Sequence, residues 1–216
     1  MKIIAFNGSP RKKWNTATLL QHALQGAAAQ GAETELIHLY DLTYTGCTSC
    51  FACKRKGGKS YARCAVQDGL AQPLARAVEV DAILIGSPIY IGAATGMMQA
   101  FLERLLFPFI AYDAAHSSLC PRPIRTGGIY TFGADDARIQ QMGFDQPITV
   151  HERVFTRIFG SFERLLVTDT YQFDDYAKYE ASGMDVAQKT QRRQEVFPQD
   201  CRKAFELGAR LCQPMG

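Results

Sequence analysis

The sequence lacks any apolar run near the roughly 20 residues that a membrane-spanning helix requires. Its apolar start, residues 3–6, leads directly into Asn7-Gly8 and is too short for the core of a signal peptide. Excess charge is also scarce, because 24 basic and 21 acidic residues leave a net charge of +3 at pH 7. Nucleic-acid-binding domains are usually strongly and locally basic. These absences predict a cytoplasmic protein with neither a membrane nor a nucleic-acid partner.

The composition also argues against a disordered chain and against a disulfide-stapled one. Hydrophobic residues make up 47% and charged residues 21% of the 216 residues, a balance typical of a domain with a buried core. The seven cysteines are an odd number in a chain without a signal peptide, which argues against paired disulfides. Four of the seven fall within eighteen residues, and that clustering needs another explanation.

Short apolar runs alternate with amphipathic stretches along the chain. They predict strands at residues 3–6, 35–39, 82–85, 129–132 and 165–167, and helical faces at 16–28, 68–79, 98–109 and 154–162. A helical tail of about 182–213 follows, with a break at 197–198. This alternation favours a parallel sheet covered on both faces. We therefore expect one doubly wound α/β domain over residues 1–216, with ligands beyond the carboxyl ends of the strands.

The loop after the first strand has the donors of an anion site. A helix begins inside it, Arg11 offers a charged fork, and polar side chains are supplied by Ser9, Asn15, Thr16 and Thr18. Neither a Walker A pattern nor Gly-x-Gly-x-x-Gly is present. The loop therefore predicts a site for a monoester phosphate. The alternative is an ordinary strand–helix turn with a solvated basic patch.

The loops after the third and fourth strands offer a flat, partly apolar surface. In the segment 86–92, Pro88 stiffens the turn and Gly92 permits backbone conformations closed to other residues. Tyr90 and Ile91 suit stacking against a planar ring, with backbone amides at its edge. The segment Thr131-Phe132-Gly133 ends the fourth strand and would flank the ring from the other side, unless it is a plain strand end.

The Gly-Ser-Pro-Arg…Asn-Thr loop, together with Pro-x-Tyr-x-Gly after the third strand, resembles the flavodoxin-like, NAD(P)H-dependent FMN reductases. The resemblance implies a five-stranded parallel sheet in the order 2-1-3-4-5, bound FMN, NAD(P)H as co-substrate, and a homodimer or tetramer with each flavin near an interface. It implies that the FMN phosphate is held by five residues of the first loop: Ser9, Arg11, Asn15, Thr16 and Ala17. It also implies that five residues of the loop after the third strand contact the flavin: Pro88, Ile89, Tyr90, Ile91 and Gly92.

The cysteine-rich segment of about 46–66 places Cys47, Cys50 and Cys53 at Cys-x-x-Cys-x-x-Cys spacing, and Cys64 follows after ten more residues. Four thiolates are what a [4Fe–4S] cluster requires, and the five cations between the last two cysteines favour thiolates. The segment resembles the iron–sulfur flavoprotein branch of the same family, although the last gap is longer here. Structural zinc and reduced thiols in a basic surface loop are the two alternatives.

Three functions follow from these patterns. The first is an FMN oxidoreductase that takes hydride from NADH or NADPH and passes electrons to a quinone, another flavin or another small acceptor. The second is an electron-transfer module fed by a ferredoxin-like partner, with the basic segment 54–63 as the docking face for an acidic donor. The third is a zinc-stabilised flavin-binding sensor without enzymatic activity.

Overall fold

Five parallel strands form the central sheet of the computed structural model, which describes residues 1–213. They are β1 (Lys2–Asn7), β2 (Glu33–His38), β3 (Ala82–Tyr90), β4 (Arg125–Thr131) and β5 (Glu163–Val167). Their order in the sheet is β2-β1-β3-β4-β5. A two-residue strand, Ala93–Ala94, pairs antiparallel with the end of β3. The expected flavodoxin-like order is confirmed.

Seven α-helices cover the sheet in the described part of the chain. They are α1 (Asn15–Ala29), α2 (Ala71–Ala77), α3 (Gly96–Leu106), α4 (Asp136–Met142), α5 (Gln146–Phe159), α6 (Val186–Glu195) and α7 (Phe197–Arg210). Short 3₁₀ turns occupy Leu39–Asp41, Ala52–Lys54, Phe107–Phe109 and Tyr176–Lys178. No helix within residues 1–213 is long and apolar enough to cross a membrane.

The sheet is apolar on both faces because helices cover both. Alternate residues of β1 point to opposite sides, so Ile3 and Ala5 pack with α1 and α7, while Ile4 and Phe6 pack with α3 and α5. All four side chains are buried. The layers therefore leave the carboxyl ends of the strands as the place where loops can build a site.

Several expected element boundaries were wrong, including the helix expected at 154–162, which spans Gln146–Phe159, and the strand expected at 129–132, which spans Arg125–Thr131. The helix expected from Asp68 begins at Ala71, because the Asp68 carboxylate accepts the Leu70 N–H (3.0 Å) and pairs with a buried arginine. The strand expected to close at Gly86 continues to Tyr90. Helix α1, expected over 16–28, spans Asn15–Ala29 and has Trp14 as its N-cap residue. The break expected near 197–198 is confirmed, between α6 and α7.

Candidate functional site

Side-chain hydrogen bonds join the loops that follow β1, β3 and β4 at the carboxyl edge of the sheet. The Thr16 and Thr131 hydroxyls lie 2.8 Å apart and connect the first loop to the end of β4. The Thr95 hydroxyl, just after the β3 loop, donates to the Gly8 carbonyl at 2.7 Å. The three segments chosen from sequence therefore meet at one edge of the sheet.

The first loop is shaped by its own polar side chains. Asn7 Oδ1 accepts the Ser9 N–H at 3.0 Å, and this fixes Asn7 Nδ2 as the donor toward His38 Nδ1, 2.8 Å away. The Ser9 hydroxyl accepts the Arg11 N–H at 3.2 Å. Burial lowers the pKa of His38 below its ordinary value, although Asp41 opposes the shift. His38 therefore supports the loop as a neutral acceptor.

The backbone at the start of α1 supplies the free donors. The first intrahelical bond runs from the Thr18 N–H to the Trp14 carbonyl at 2.9 Å, so the amides of residues 15–17 precede the helical ladder. No side chain caps this terminus. The side chain of Asn15 is already used, because its amide donates to Tyr171 O and its oxygen accepts from Arg193 (both 2.8 Å). The side chains of Asn15 and Thr16 thus shape the loop, and the backbone N–H groups of residues 15–17 are the donors left available to an anion.

The β3 loop carries an exposed apolar tip. The Ser87 hydroxyl accepts the Thr95 N–H at 3.1 Å and donates to the Pro88 carbonyl at 2.8 Å, which folds the loop back toward α3. Tyr90 is 47% exposed and Ile91 is fully exposed. Burial raises the pKa of Tyr90, and the Arg11 guanidinium opposes this shift. The tip therefore offers apolar surface beside polar donors.

The segment after β4 lies where expected but presents little of its side chains. Phe132 is buried in the core, and its backbone pairs with Val167 O (2.9 Å) and the Thr170 N–H (2.8 Å). The Gly133 carbonyl accepts from Lys189 Nζ at 2.9 Å. Thr131 is buried and bonded to Thr16. This segment can flank a ring mainly through its backbone.

The C-terminal third of the chain contributes contacts that the sequence patterns missed. Arg11 Nη1 donates to the Gln172 carbonyl at 2.6 Å, and Trp14 Nε1 donates to the Tyr171 carbonyl at 3.1 Å. Arg11 also lies over the Trp14 ring, 4.7 Å from its centroid. From α6, Arg193 reaches the first loop at Asn15. No short-range motif marks these residues, because they meet the loop only after the chain has crossed the sheet.

The four clustered cysteines line one apolar cavity of about 20 Å³. Cys47 and Cys50 are exposed, Cys64 is half-buried and Cys53 is buried. Left-handed backbone at Ser49, Phe51 and Ala62 curves the segment around this space. The long gap before Cys64 therefore does not separate it from the other three thiols.

Lys54 is not part of a free basic surface. Its ammonium donates to the Phe107, Pro108 and Ile110 carbonyls and lies 4.4 Å from the centroid of the Phe107 ring. Burial lowers the pKa of Lys54, and burial also raises the pKa of the Cys53 thiol despite this neighbouring cation. The expectation that nearby cations favour the thiolate is wrong for Cys53, because desolvation raises its pKa more than the neighbouring cation lowers it.

The arrangement of the four thiols does not match a tetrahedral zinc site. A tetrahedral zinc site needs four sulfurs about 2.3 Å from one point, and within residues 1–213 no three Cys, His, Asp or Glu side chains converge to hold one metal ion. A [4Fe–4S] group, in which each sulfur binds a different iron, would need four thiols around one space rather than four thiols at one point. Cys47 and Cys50 are exposed, so the space that the thiols line opens toward solvent.

Comparison with known proteins identifies the family. Residues 1–118, from β1 through α3 and the cysteine segment, match the family model described as NADPH-dependent FMN reductase. The chain belongs to the NADPH-dependent FMN reductase family. The expected family resemblance is therefore confirmed, and the matched residues include the first loop, the cysteine segment and the β3 loop of this family member.

Among curated proteins, this family member is similar to those named iron-sulfur flavoproteins. It is 36% identical over 104 residues to one from Methanocaldococcus jannaschii, covering 48% of this chain and 51% of that protein. It is 36% identical over 137 residues to one from Archaeoglobus fulgidus, covering 63% of this chain and 64% of that protein. The matches thus span between half and two thirds of these two relatives.

A solved structure shares the fold over the whole chain. The NAD(P)H:quinone oxidoreductase from Methanothermobacter marburgensis superimposes with a TM-score of 0.70, covering 100% of this chain and 99% of that one. Only 12% of the aligned residues are identical. This likeness supports the fold.

Proposed function

We propose that the chain is an FMN-dependent NAD(P)H oxidoreductase that passes electrons through bound FMN to a quinone, a flavin or another small acceptor. The observation that carries the proposal is the joining of the three loops by Thr16–Thr131 and Thr95–Gly8 at one sheet edge. Family membership supports the same cofactor and co-substrate. The proposal treats the chain as one FMN-binding domain that acts in the cytoplasm.

The residues present fit FMN. A monoester phosphate suits the uncapped start of α1, where the backbone N–H groups of residues 15–17 and the positive end of the helix dipole meet Arg11. The exposed tip at Tyr90 and Ile91 suits one side of the isoalloxazine ring. When bound, FMN supplies hydride acceptance and one- or two-electron delivery. The protein binds and orients it, and no acid–base catalyst is assigned.

The phosphate anchor gives a direct test of this proposal. Riboflavin lacks the phosphate, so it should bind roughly 100-fold more weakly than FMN when both are titrated by flavin fluorescence. Ser9→Ala should narrow this difference, because the Ser9 hydroxyl holds the Arg11 amide. The FMN-loaded protein should then consume NADH or NADPH with a quinone acceptor. Equal affinity for FMN and riboflavin, or no flavin binding, would contradict the proposal.

The exposed apolar tip also supports assembly as a homodimer or tetramer. Tyr90, 47% exposed, and the fully exposed Ile91 place apolar surface next to the proposed flavin. A second subunit that covers this surface would shield the ring from water. Light scattering of the FMN-loaded protein tests this, and a monomer at micromolar concentration would contradict it.

A second function is favoured by the cysteine cavity. Four thiols line one space, and four exposed cations lie between Cys53 and Cys64: Arg55, Lys56, Lys59 and Arg63. In this function a [4Fe–4S] group held by Cys47, Cys50, Cys53 and Cys64 receives single electrons from an acidic, ferredoxin-like donor. Cys53→Ser should abolish donor-driven flavin reduction and leave reduction by NAD(P)H intact. Unchanged donor-driven reduction would exclude this function.

A further inference from the structure

Arg104, in the last turn of α3, is almost completely buried and uses all of its nitrogens. Its two terminal nitrogens pair with both carboxylate oxygens of Asp68 at 2.5 and 2.9 Å. The same nitrogens donate to the Thr45 and Val66 carbonyls at 3.0 and 3.2 Å. The remaining donor, Nε–H, points at the sulfur of Cys64, 3.3 Å away. A buried guanidinium is stable only when its charge and donors are satisfied in this way.

These contacts close the cysteine segment at both ends. Thr45 lies two residues before Cys47, and Val66 lies two residues after Cys64. One guanidinium thus holds the two ends of the segment together. The neighbouring Glu103 accepts the Cys47 N–H at 2.9 Å. Consecutive residues of α3 therefore bond to the backbone of the first cysteine and to the sulfur of the last.

We infer that Arg104 is a positioning residue for Cys64, and that its Nε–H···Sγ bond places this sulfur as the fourth thiol of the cavity. Asp68 neutralises the charge of the guanidinium, so Arg104 acts on the sulfur through a hydrogen bond of fixed direction rather than through its charge. The ten residues between Cys53 and Cys64 can then bulge outward without moving Cys64 away. This inference rests on the proposed [4Fe–4S] group, whose potential depends on hydrogen bonds to its sulfurs.

A matched pair of double variants isolates this donor. Arg104→Gln with Asp68→Asn removes both charges. The Gln side chain keeps an N–H donor bonded to Cδ, the same position at which Nε is bonded in Arg104. Arg104→Met with Asp68→Asn has a similar length and no donor. Each full-length protein is reconstituted with iron and sulfide without oxygen, and iron content, thermal unfolding and midpoint potential are measured.

The Met variant should lose iron roughly 10- to 100-fold more readily than the Gln variant. Iron that it retains should show a more negative midpoint potential, because a donor to sulfur stabilises the reduced group. Cys64→Ser should match the Met variant in iron content. Equal iron retention and equal potentials in the two folded double variants would overturn the inference.

Two further outcomes are decided by thiol labelling. If the wild-type chain takes up no iron, the proposed cluster fails while the inference stays testable in the metal-free protein. If the double variants do not fold, Arg104→Lys replaces them. In both cases the alkylation rate of Cys64 is measured against Cys120, which bonds to the Arg122 carbonyl elsewhere. Loss of the Arg104 donor releases the Cys64 sulfur from α3 and removes its hydrogen bond, so the Cys64 labelling rate relative to Cys120 should change about 10-fold, and an unchanged ratio overturns the inference.

Discussion

Ile91 adopts a backbone conformation that its own packing does not stabilise. Its φ is 51°, in the left-handed region, and its side chain is fully exposed. A branched residue there costs about 1–2 kcal/mol relative to right-handed backbone. Strained residues of this kind concentrate at ligand sites, where the surrounding structure holds them. An exposed apolar side chain held in strain beside the first loop is consistent with a surface that packs on a ligand.

Replacing Ile91 should therefore separate stability from binding. Ile91→Asn should raise the free energy of unfolding of the FMN-free protein by about 1 kcal/mol, because Asn tolerates this backbone region. FMN should bind roughly 10-fold more weakly, because an apolar contact is lost. Urea unfolding and flavin titration measure the two effects. Ile91→Val keeps the branched Cβ and is the control, and a destabilised Asn variant would contradict the strain argument.

His38 should make the first loop sensitive to acid. Burial lowers its pKa below the ordinary 6.5, so the folded state binds fewer protons than the unfolded chain. Its stabilising contribution is present above about pH 6.5 and is lost as the pH falls through the folded pKa. Protonation also removes the acceptor for Asn7 Nδ2. FMN affinity and the free energy of unfolding should both fall below pH 6.5.

A His38→Gln variant provides the control for this pH dependence. The variant should lose the acid-dependent step in FMN affinity. A smaller stability slope should remain, because burial also lowers the pKa of His151, which bonds to Tyr130 on the face of the sheet opposite α1. FMN titrations and chemical unfolding between pH 5 and 8 measure both quantities. An unchanged affinity step in His38→Gln would show that another group is responsible.

At the level of elements, α1 and α7 pack unusually closely. A Cβ at Gly208 would overlap the Ala23 carbonyl, and a Cβ at Gly26 would overlap the Phe205 carbonyl. Each helix thus has a glycine at the point where the backbone of the other helix approaches it most closely. Because α1 carries the proposed phosphate site at its first turn, this contact sets where that site sits relative to the sheet.

Gly208→Ala should test this contact. The new methyl group meets backbone rather than a movable side chain, so we expect the free energy of unfolding to fall by about 3 kcal/mol or more. This loss is larger than the roughly 1 kcal/mol by which Ala is favoured over Gly in a helix. Gly96→Ala is the control, because nothing lies within 4 Å of a Cβ there. Thermal and urea unfolding compare the two variants. Similar stabilities would mean that the helices separate without cost.

Local patterns were sufficient for the order of elements and insufficient for their junctions. The apolar runs predicted all five long strands, but β3 passes through Ser87-Pro88 because these residues pair with β4 and the chain then turns back on itself. The cysteine spacing predicted the thiol cluster. Arg104 lies 40 residues from Cys64, and only folding brings α3 beside the segment. Long-range contacts of this kind leave no periodic signal in one sequence.

Across the whole molecule, α3 connects the two proposed sites. At its start, Thr95 bonds to Gly8 in the first loop, and near its end Arg104 bonds to Cys64. These residues are about 14 Å apart along a helix that rises 1.5 Å per residue. The opposite face of the sheet carries α1 and α7. The flavin edge and the cysteine cavity therefore share one rigid support, with the exposed cations at the cysteine end.

This arrangement predicts a charge-dependent reaction at one end only. Lys56→Glu with Lys59→Glu should slow reduction by an acidic one-electron donor roughly 10-fold or more at low ionic strength, and added salt should shrink the difference because it screens exposed charges. Lys54 is omitted because its ammonium is held by backbone carbonyls. Reduction by NAD(P)H should not change. Arg202→Glu with Lys203→Glu makes the same charge change at two exposed sites on α7 and is the control, and an equal slowing there would assign the effect to net charge instead of a docking face.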